Sequence, residues 1–533
     1  EVEQPVLLKA GQLPGIHLDG INISLDEALF VDAPGGRTDV SGSRLDVGTE
    51  EVGGRIVLAA DAVEVDGESE LIATGTSGGG LIEVGGSWQN SDASVRQATT
   101  SKIDQGALLD ASAIENGDGG EIVVWSDIRN PESLTTVAGD LLAKGGRKRG
   151  DGGDIETSGF ELNIAGIDVK PTATNGKQGL WLLDPFDYTL DDQAPGFETS
   201  TIAAVLSDGT NVTISTASSS NAVGASTTIN ADDNDATGGT LTVAADISVS
   251  ESEGSGNLSL IADKDIIIDA IVENITGGGD LTLSSKTGVV INSGGSIEWD
   301  PGSAGEISIS SSDSGGLSGS GLITIPAGTL IVDQSGETSF SGTNSGAGSF
   351  IKNGSGTLSL PNTFSGGTSI NAGTLRISGS SNSTGNISIA NIGSVIFDTS
   401  SGSRTYAGVF SGDGNLRKIG ANELTLSGDS TSTFTGTTTV SEGSVFVTGG
   451  LTESGDIILE DGFFEIGNLD ALGDSYSGTI SFDGGLFKHG QARDFSAQYS
   501  NADNQQYKIQ VLGPSQTSRA YATALTSQGG SLE

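Results

Sequence analysis

The stretch Gly176-Lys-Gln-Gly-Leu-Trp-Leu-Leu-Asp-Pro-Phe-Asp-Tyr-Thr-Leu190 concentrates aromatic residues, leucine and proline in a chain that is otherwise rich in small residues. The apolar run that begins at Trp181 is too short for a helix and predicts a buried strand. Asp184-Pro185 is expected to end that strand, because proline restricts the preceding residue, and a second strand is expected at Tyr188–Leu190. This predicts a structural motif formed by Trp181, Leu182, Leu183, Asp184 and Pro185; a ligand patch is the functional alternative.

Composition favours a repetitive β structure. The chain of 533 residues contains 83 glycines, only 5% aromatic residues and 35% hydrophobic residues. Val, Ile and Leu nevertheless recur in short phrases along its length, which argues against disorder. Alternating phrases such as Gly20-Ile-Asn-Ile-Ser24, punctuated by glycine, predict half-buried strands joined by tight turns.

Charge and residue usage exclude several classes of protein. The formal net charge of −45, from 69 acidic and 24 basic residues, excludes nucleic acid and anionic lipid as the main partner. The chain has no cysteine, so it has no disulfide or thiolate metal site, and this composition suits export of an unfolded chain. No stretch approaches the roughly 18 continuous apolar residues of a membrane-spanning helix.

Three glycine-rich phrases reveal an internal repeat. They are Gly78-Gly-Gly-Leu-Ile-Glu-Val-Gly85, Gly117-Asp-Gly-Gly-Glu-Ile-Val-Val-Trp125 and Gly150-Asp-Gly-Gly-Asp-Ile-Glu-Thr157. The last two lie 33 residues apart, which is within the period of about 20 to 50 residues of stacked-repeat folds. Glycine suits the cramped corners of such a solenoid. We expect Trp181 to pack inside it, with no hinge at Asp184-Pro185.

Several phrases, in order, resemble large exoproteins of the filamentous haemagglutinin type over roughly residues 45 to 310. The phrases are Asp110-Ala-Ser112, Gly117 to Trp125, Leu142-Ala-Lys-Gly-Gly146, Gly152-Gly-Asp-Ile-Glu-Thr-Ser-Gly159 and Gly179-Leu-Trp-Leu-Leu-Asp-Pro185. The resemblance implies two-partner secretion through an outer-membrane transporter. It also implies the fold class: an all-β, elongated, right-handed parallel β-helix, or β-solenoid.

The C-terminal part uses a different repeat. Gly348-Ser-Phe-Ile-Lys-Asn-Gly-Ser-Gly-Thr-Leu-Ser-Leu360 and the phrase from Thr363 to Leu375 resemble the autotransporter-associated β-strand repeat of passenger domains, and residues 414 to 445 form a second copy. We therefore divide the chain into three sections. These are a glycine-rich haemagglutinin-type section (1–190), regular β-helix turns (191–335), and autotransporter-type repeats that continue the solenoid (336–533).

Two sets of polar residues are candidate binding sites. Asp118, Asp151 and Asp154 in the glycine-rich turns, together with Asp232-Asp-Asn-Asp235, offer oxygen ligands for calcium. They lack the roughly nine-residue tandem spacing of calcium-binding β-rolls, so diffuse cation association is the alternative. Arg149, Gly150 and Asp151 form an integrin-type receptor tripeptide, although so short a motif also arises by chance and Asp151 belongs to a repeat turn.

No catalytic residues or cofactor are predicted. The only histidines, His17 and His489, are far apart in sequence, which argues against a Ser-His-Asp triad or a histidine metal cluster. Acids adjacent in sequence, such as Asp191 and Asp192, point to opposite faces of a strand. Acids from different turns could still pair, which leaves a polysaccharide-active β-helix enzyme as an alternative.

These observations predict a secreted exoprotein of the bacterial cell surface or extracellular matrix. It would act as an adhesin or an extracellular stalk that contacts glycans or proteins of host or neighbouring cells. The alternative structural role is a subunit that polymerises end to end through its solenoid ends into filaments of a biofilm matrix. The expected partners include the outer-membrane transporter and exclude nucleic acid.

Overall fold

The computed structural model describes most of the chain. The described ranges are 6–10, 14–191, 199–216, 239–250, 255–275, 277–379, 384–430, 433–467, 469–473, 476–490, 499–501 and 508–512. Two compact units divide it: Glu1–Lys286 with Gly294–Gly305, and Thr287–Ser293 with Glu306–Glu533. The residues immediately before and after Asp184-Pro185 belong to the first unit, so the boundary between the units does not lie there. Within the described ranges, no helix is both long and apolar enough to cross a membrane.

Short strands make up nearly all of the regular structure. The first half contains β1 (Val6–Lys9), β2 (Gly15–Asp19), β3 (Asn22–Ser24), β4 (Ala28–Ser41), β5 (Arg44–Asp46), β6 (Arg55–Val65), β7 (Glu70–Ile72), β8 (Leu81–Val84), β9 (Thr100–Ile103), β10 (Leu108–Asp110), β11 (Glu121–Trp125), β12 (Leu134–Val137), β13 (Asp140–Leu142), β14 (Asp154–Gly159), β15 (Glu161–Asn163), β16 (Asp168–Lys170), β17 (Leu180–Pro185), β18 (Tyr188–Leu190), β19 (Asn211–Ser215), β20 (Leu241–Val243), β21 (Ile247–Val249), β22 (Leu258–Ala262), β23 (Asp265–Ile268), β24 (Ile271–Asn274) and β25 (Leu281–Ser285).

The remaining strands follow the same pattern. They are β26 (Gly288–Ile291), β27 (Ser296–Trp299), β28 (Glu306–Ser311), β29 (Leu317–Gly319), β30 (Leu322–Thr324), β31 (Thr329–Gln334), β32 (Glu337–Ser339), β33 (Thr343–Ser345), β34 (Ser349–Asn353), β35 (Thr357–Leu360), β36 (Thr368–Ile370), β37 (Gly373–Ile377), β38 (Ile387–Ile389), β39 (Gly393–Asp398), β40 (Arg404–Tyr406), β41 (Phe410–Gly412), β42 (Asn415–Ile419), β43 (Glu423–Leu426), β44 (Thr438–Val440), β45 (Ser444–Val447), β46 (Ile457–Leu459), β47 (Phe463–Ile466), β48 (Ile480–Phe482), β49 (Leu486–Gly490), β50 (Tyr499–Asn501) and β51 (Lys508–Leu512).

Each unit is a parallel β-helix, as the sequence predicts. In the first unit a turn of chain contributes three strands, such as β11, β12 and β13, and each pairs in parallel with its counterpart in the next turn: β14, β15 and β16. In the second unit the longest ladder runs β32-β35-β37-β39-β42-β44-β46-β48-β50, and a second runs β40-β43-β45-β47-β49-β51. The neighbouring turn therefore supplies the hydrogen-bond partners that a single turn lacks.

Inward-facing side chains form continuous apolar ladders. In the first unit one ladder joins Leu29, Ile56, Ile82, Ile122, Ile155, Trp181, Val212, Leu258 and Leu281 through successive register pairs. All nine side chains are fully buried. Trp181 thus occupies a position that β-branched or leucine side chains fill in the other turns, and it lies inside the solenoid as predicted.

Strand β17 ends at Asp184-Pro185, as predicted, and it includes both residues: Pro185 pairs with Gly159. Proline is tolerated at that strand end because its missing N–H removes only one bond of the ladder. An α-helix, α1 (Thr199–Ser207), buries Ile202 and Leu206 and interrupts the strands. A short 3₁₀ helix occurs at Leu469–Leu472, and Trp88–Asn90 forms a tight turn in which Gln89 has left-handed dihedral angles.

The paired glycines of the repeat lie where neighbouring turns approach most closely. A Cβ atom built on Gly79 would lie 1.9 Å from the carbonyl oxygen of Ala111, and one on Gly120 would lie 1.9 Å from that of Gly80. Real Cβ atoms do not approach backbone oxygen so closely, so the second and third glycines of each phrase are required by space. The first glycine, Gly78, has no contact shorter than 3.4 Å at its Cβ position.

Replacing Gly79 with alanine is expected to lower the free energy of unfolding by at least about 3 kcal/mol, because the backbone of the next turn must shift. Gly78→Ala, one position earlier in the same phrase, is the matched control and should change it by less than about 1 kcal/mol. Urea denaturation followed by circular dichroism measures both. Equal effects of the two substitutions would contradict the close-approach argument.

Candidate functional site

Parallel stacking brings together acids that are far apart in sequence. On the outer face of the first unit, one column of register partners comprises Arg55, Leu81, Glu121 and Asp154, and the adjacent column comprises Val57, Glu83, Val123 and Glu156. Neighbouring strands lie about 4.8 Å apart. The two columns therefore collect four carboxylates and one guanidinium on a single surface, which we call the acid face.

An open groove of about 570 Å³ follows the first column. Its walls include Arg55, Glu121 and Asp154, and its floor is formed by the paired glycines of three turns: Gly53, Gly54, Gly79, Gly80, Gly119 and Gly120. Since glycine has no side chain, the floor is bare backbone. A ligand in this groove would contact main-chain atoms below and carboxylates at the side.

Arg55 neutralises one end of the acid face. Its Nη2 lies 2.6 Å from the carboxylate of Glu83 and 3.2 Å from that of Asp92, and its guanidinium carbon lies 5.4 Å from the ring centre of Phe30. Burial raises the pKa of Glu83, and the salt bridge with Arg55 opposes that rise. Glu83 is therefore a paired structural carboxylate.

Glu121 is different, because no described residue forms a hydrogen bond or a salt bridge with its carboxylate. Burial, followed by the negative charges of Glu83 and Asp154, raises the pKa of Glu121 to about 7. Glu121 and Asp154 are direct register partners on adjacent strands. Glu121 can therefore gain or lose a proton near neutral pH, which is a property that general acid-base chemistry or proton-coupled binding requires.

Glu156 is fully buried beneath the loop that joins β8 to β9. Its carboxyl oxygens accept hydrogen bonds from the backbone N–H of Gln89 and from the hydroxyl of Ser158, each 2.8 Å long. Burial raises the pKa of Glu156 well above its ordinary value, and the charges of Asp184 and Glu121 add to that rise. Glu156 is thus closed off from the groove.

Asp118 and Asp151, two of the predicted calcium ligands, hold successive turns together. The carboxylate of Asp118 accepts the backbone N–H of Asp151, and the carboxylate of Asp151 accepts that of Lys177, both at 2.8 Å. Asp154, the third candidate, lies on the acid face instead. Among the residues that the structure describes, no group of three or more His, Asp or Glu side chains is arranged to hold a metal ion.

The other predicted site residues lie on different parts of the fold. Arg149 is exposed at a turn, and Gly150 adopts a positive φ of 133°. Trp181 donates its indole N–H to Thr157 at 3.1 Å inside the solenoid, whereas Leu182 and Asp184 face outward and are buried. Asp232-Asp-Asn-Asp235 lies outside the described residues.

Sequence reasoning missed Glu83, Glu121 and Glu156 as a group, although all three occur in the phrases that define the repeat. Aligning the phrases on their paired glycines would have placed Glu121 beside Asp154, and Glu83 in the same column as Glu156. The step that was missing was to assign the register between strands of successive turns. The loop that buries Glu156 has no counterpart in the repeat pattern and gave no such signal.

Comparison with known families finds the passenger-associated-transport-repeat at residues 350–377 and 416–445. These segments coincide with the two copies identified in the sequence, so the predicted autotransporter-type repeat is confirmed there. The haemagglutinin-type resemblance of the preceding part stays a prediction. A comparison with curated proteins finds no match to this chain.

Both matched segments contain the same buried lysine. Lys352 and Lys418 are completely buried, and each donates from its ammonium group to carbonyl oxygens of the turn that follows, including Gly354 at 3.0 Å and Gly420 at 2.6 Å. Burial lowers the pKa of each lysine to about 8. The repeat therefore encodes a turn that is closed by an internal cation.

The pKa of Glu121 predicts a pH-dependent stability. Between its ordinary value of 4.5 and about 7, the folded chain holds a proton that the unfolded chain releases, so stability falls as pH rises through that interval. Glu121→Gln removes this loss. Its free energy of unfolding is therefore expected to exceed that of the unmodified chain by about 2 to 3 kcal/mol at pH 8 and by almost nothing at pH 4.

Urea denaturation at the two pH values measures this difference. Glu161→Gln, which removes one exposed carboxylate from β15, is the matched control, and its free energy of unfolding should equal that of the unmodified chain at both pH values. A Glu121→Gln variant with the same pH profile as the unmodified chain would show that Glu121 ionises normally.

Proposed function

We propose that this chain is a section of a secreted passenger that acts as an adhesin or extracellular stalk at the bacterial cell surface, after export with an outer-membrane transporter. The observation that carries this proposal is the passenger-associated-transport-repeat at residues 350–377 and 416–445. Both copies contribute strands to the parallel ladders of the second unit. The repeat therefore forms part of the β-helix itself.

The chemistry of the chain supports this role. Turns that pair through their backbones can be added one after another, and stability accumulates with each neighbour contact. The chain has no cysteine that could be trapped in a disulfide before transport, and its net charge of −45 favours solubility outside the cell. Such a molecule suits display of a binding surface away from the membrane.

We place the adhesive contact in a polar groove of the second unit. This groove, of about 500 Å³, is lined by Glu337, Thr338, Ser339, Ser359, Arg376 and Ser378. Hydroxyl groups and one guanidinium provide donors and acceptors that suit the hydroxyls of a glycan. Arg376 is held in position by a salt bridge to Asp398.

Filling this groove tests the adhesive role. Beads coated with purified Ser359→Tyr protein are expected to be retained on a glycan array, or on epithelial cells, at least about tenfold less than beads coated with the unmodified chain, because the ring occupies the groove. Thr425→Tyr, on the outer face of β43, is the control and should bind normally. Absence of binding by the unmodified chain, with filaments in electron micrographs that lengthen with concentration, would instead support the polymerising role.

The proposal assigns no reaction to the chain. If the chain cleaved polysaccharides, the Glu121 and Asp154 pair would be the arrangement on the acid face best suited to the reaction. Changing these two residues therefore distinguishes a catalytic role from a binding role. Incubation with acidic and neutral polysaccharides, followed by a reducing-end assay, is expected to show no turnover. Turnover by the unmodified chain that is lost in both the Glu121→Gln and the Asp154→Asn variants would show that the chain is an enzyme, not an adhesin.

A further inference from the structure

Residues 85–98, between β8 and β9, cross the acid face as a strap. Val95 packs against Val57 and Ala59, which lie on the outer face of β6. At the other side, Trp88 packs against a buried cluster formed by Val123, Trp125 and Ile128. The strap therefore spans several turns of the solenoid and covers side chains that would otherwise face solvent.

Polar contacts hold the strap at its centre and near its C-terminal end. Asp92 forms a salt bridge with Arg55, and the side-chain oxygen of Gln97 accepts the indole N–H of Trp125 at 3.1 Å. The contact nearest the middle of the acid face is the hydrogen bond from the N–H of Gln89 to the Glu156 carboxyl. Gln89 and Asn90 have φ angles of 44° and 52°, a left-handed conformation that asparagine tolerates but that is unfavourable for Gln89. The closed strap therefore depends on contacts that offset this conformation.

The carboxyl of Glu156 has a mostly acidic environment. Asp184 lies on the next strand and Glu121 lies on the preceding strand, and both add negative charge near this carboxyl. Arg55 is engaged with Glu83 and Asp92. The loop around Ile128, which packs on the Trp125 cluster, carries Asp127 and Arg129, and the Asp127 carboxylate accepts the backbone N–H of Arg129. Burial, and after it the charge of Asp184, favours the neutral form of this carboxyl, and the charge of Glu121 adds to the effect. The hydrogen bonds from Gln89 and Ser158 favour the ionised form, but burial and the neighbouring acids outweigh them and raise the pKa of Glu156.

We propose that residues 85–98 form a proton-controlled strap, which lies closed over the acid face while the Glu156 carboxyl is protonated and opens when that carboxyl ionises. In the closed state a neutral carboxyl accepts the Gln89 N–H at no charge cost. An ionised carboxylate in the same position is buried beside two other acids, and only opening gives it water. Opening would join Glu83 and Glu156 to the groove that already contains Glu121 and Asp154.

The proton balance fixes the expected pH dependence. In water the carboxyl ionises near its ordinary pKa of 4.5, so opening releases one proton. The equilibrium constant for opening therefore rises about tenfold for each pH unit, from about 4.5 to the pKa of the closed form. Above that pKa it is constant.

Hydrogen exchange measured by mass spectrometry on the whole chain between pH 5 and pH 9 tests the proposal. After correction for intrinsic exchange rates, the exchange rates of the strap amides are expected to rise about tenfold for each pH unit, as the opening constant does. The amides of β10, beneath the glycine-rich turns, should show no such rise. In Glu156→Gln the strap amides should be independent of pH. Glu161→Gln, the control for loss of one acid, should behave as the unmodified chain does.

A second variant covers the case in which Glu156→Gln does not fold. Glu121→Gln removes a charge that acts on Glu156 once Glu121 has ionised, above about pH 7, so a rise that continues beyond pH 7 should end at a lower pH. Three results would overturn the proposal: strap protection that does not change between pH 5 and pH 9, a Glu156→Gln strap as sensitive to pH as the original, or β10 amides that follow the same curve. The last result would mean that the whole unit unfolds.

Discussion

Backbone pairing between successive parallel turns is the constraint on which the rest of this structure depends. A turn of about 30 residues cannot satisfy its own strand N–H and C=O groups, so each strand needs a partner in the next turn at about 4.8 Å. Side chains at corners must leave room for that approach. This is why Gly79 and Gly120 cannot carry a Cβ atom, whereas Gly78 can.

The same constraint explains how chemistry arises on a repetitive chain. Identical positions of successive turns stack into columns, so a substitution in one phrase places its side chain directly beside the equivalent residue of the next. Glu121 and Asp154 are neighbours for this reason, although 33 positions separate them. A column of acids is unfavourable unless some members are paired, protonated or covered. The acid face uses all three means: Glu83 pairs with Arg55, Glu121 has a raised pKa, and Glu156 lies under the strap.

The repeating part of the fold could be predicted from sequence, and the insertions could not. Alternation and paired glycines identified the strands around Ile82, Ile122 and Ile155, and the apolar run identified Trp181 as a buried residue, because burial on one face leaves a direct trace in residue type. Helix α1 and the strap leave no such trace, since each occurs once and obeys no period. The acid face depends on register, which a single sequence reveals only when its phrases are aligned on their glycines.

The buried lysines show that the passenger repeat also specifies polar interactions inside the solenoid. A turn at the end of a strand leaves carbonyl oxygens that point inward, and an unpaired buried carbonyl is costly. Lys352 and Lys418 each satisfy several carbonyls with one ammonium group, and Lys418 also donates to the backbone carbonyl oxygen of Glu442 in the next turn at 2.9 Å. Desolvation lowers the pKa of both lysines, so this contact is retained at an electrostatic cost. The equivalent lysine closes the turn in both repeats, so this internal cap stabilises each copy in addition to its apolar ladder.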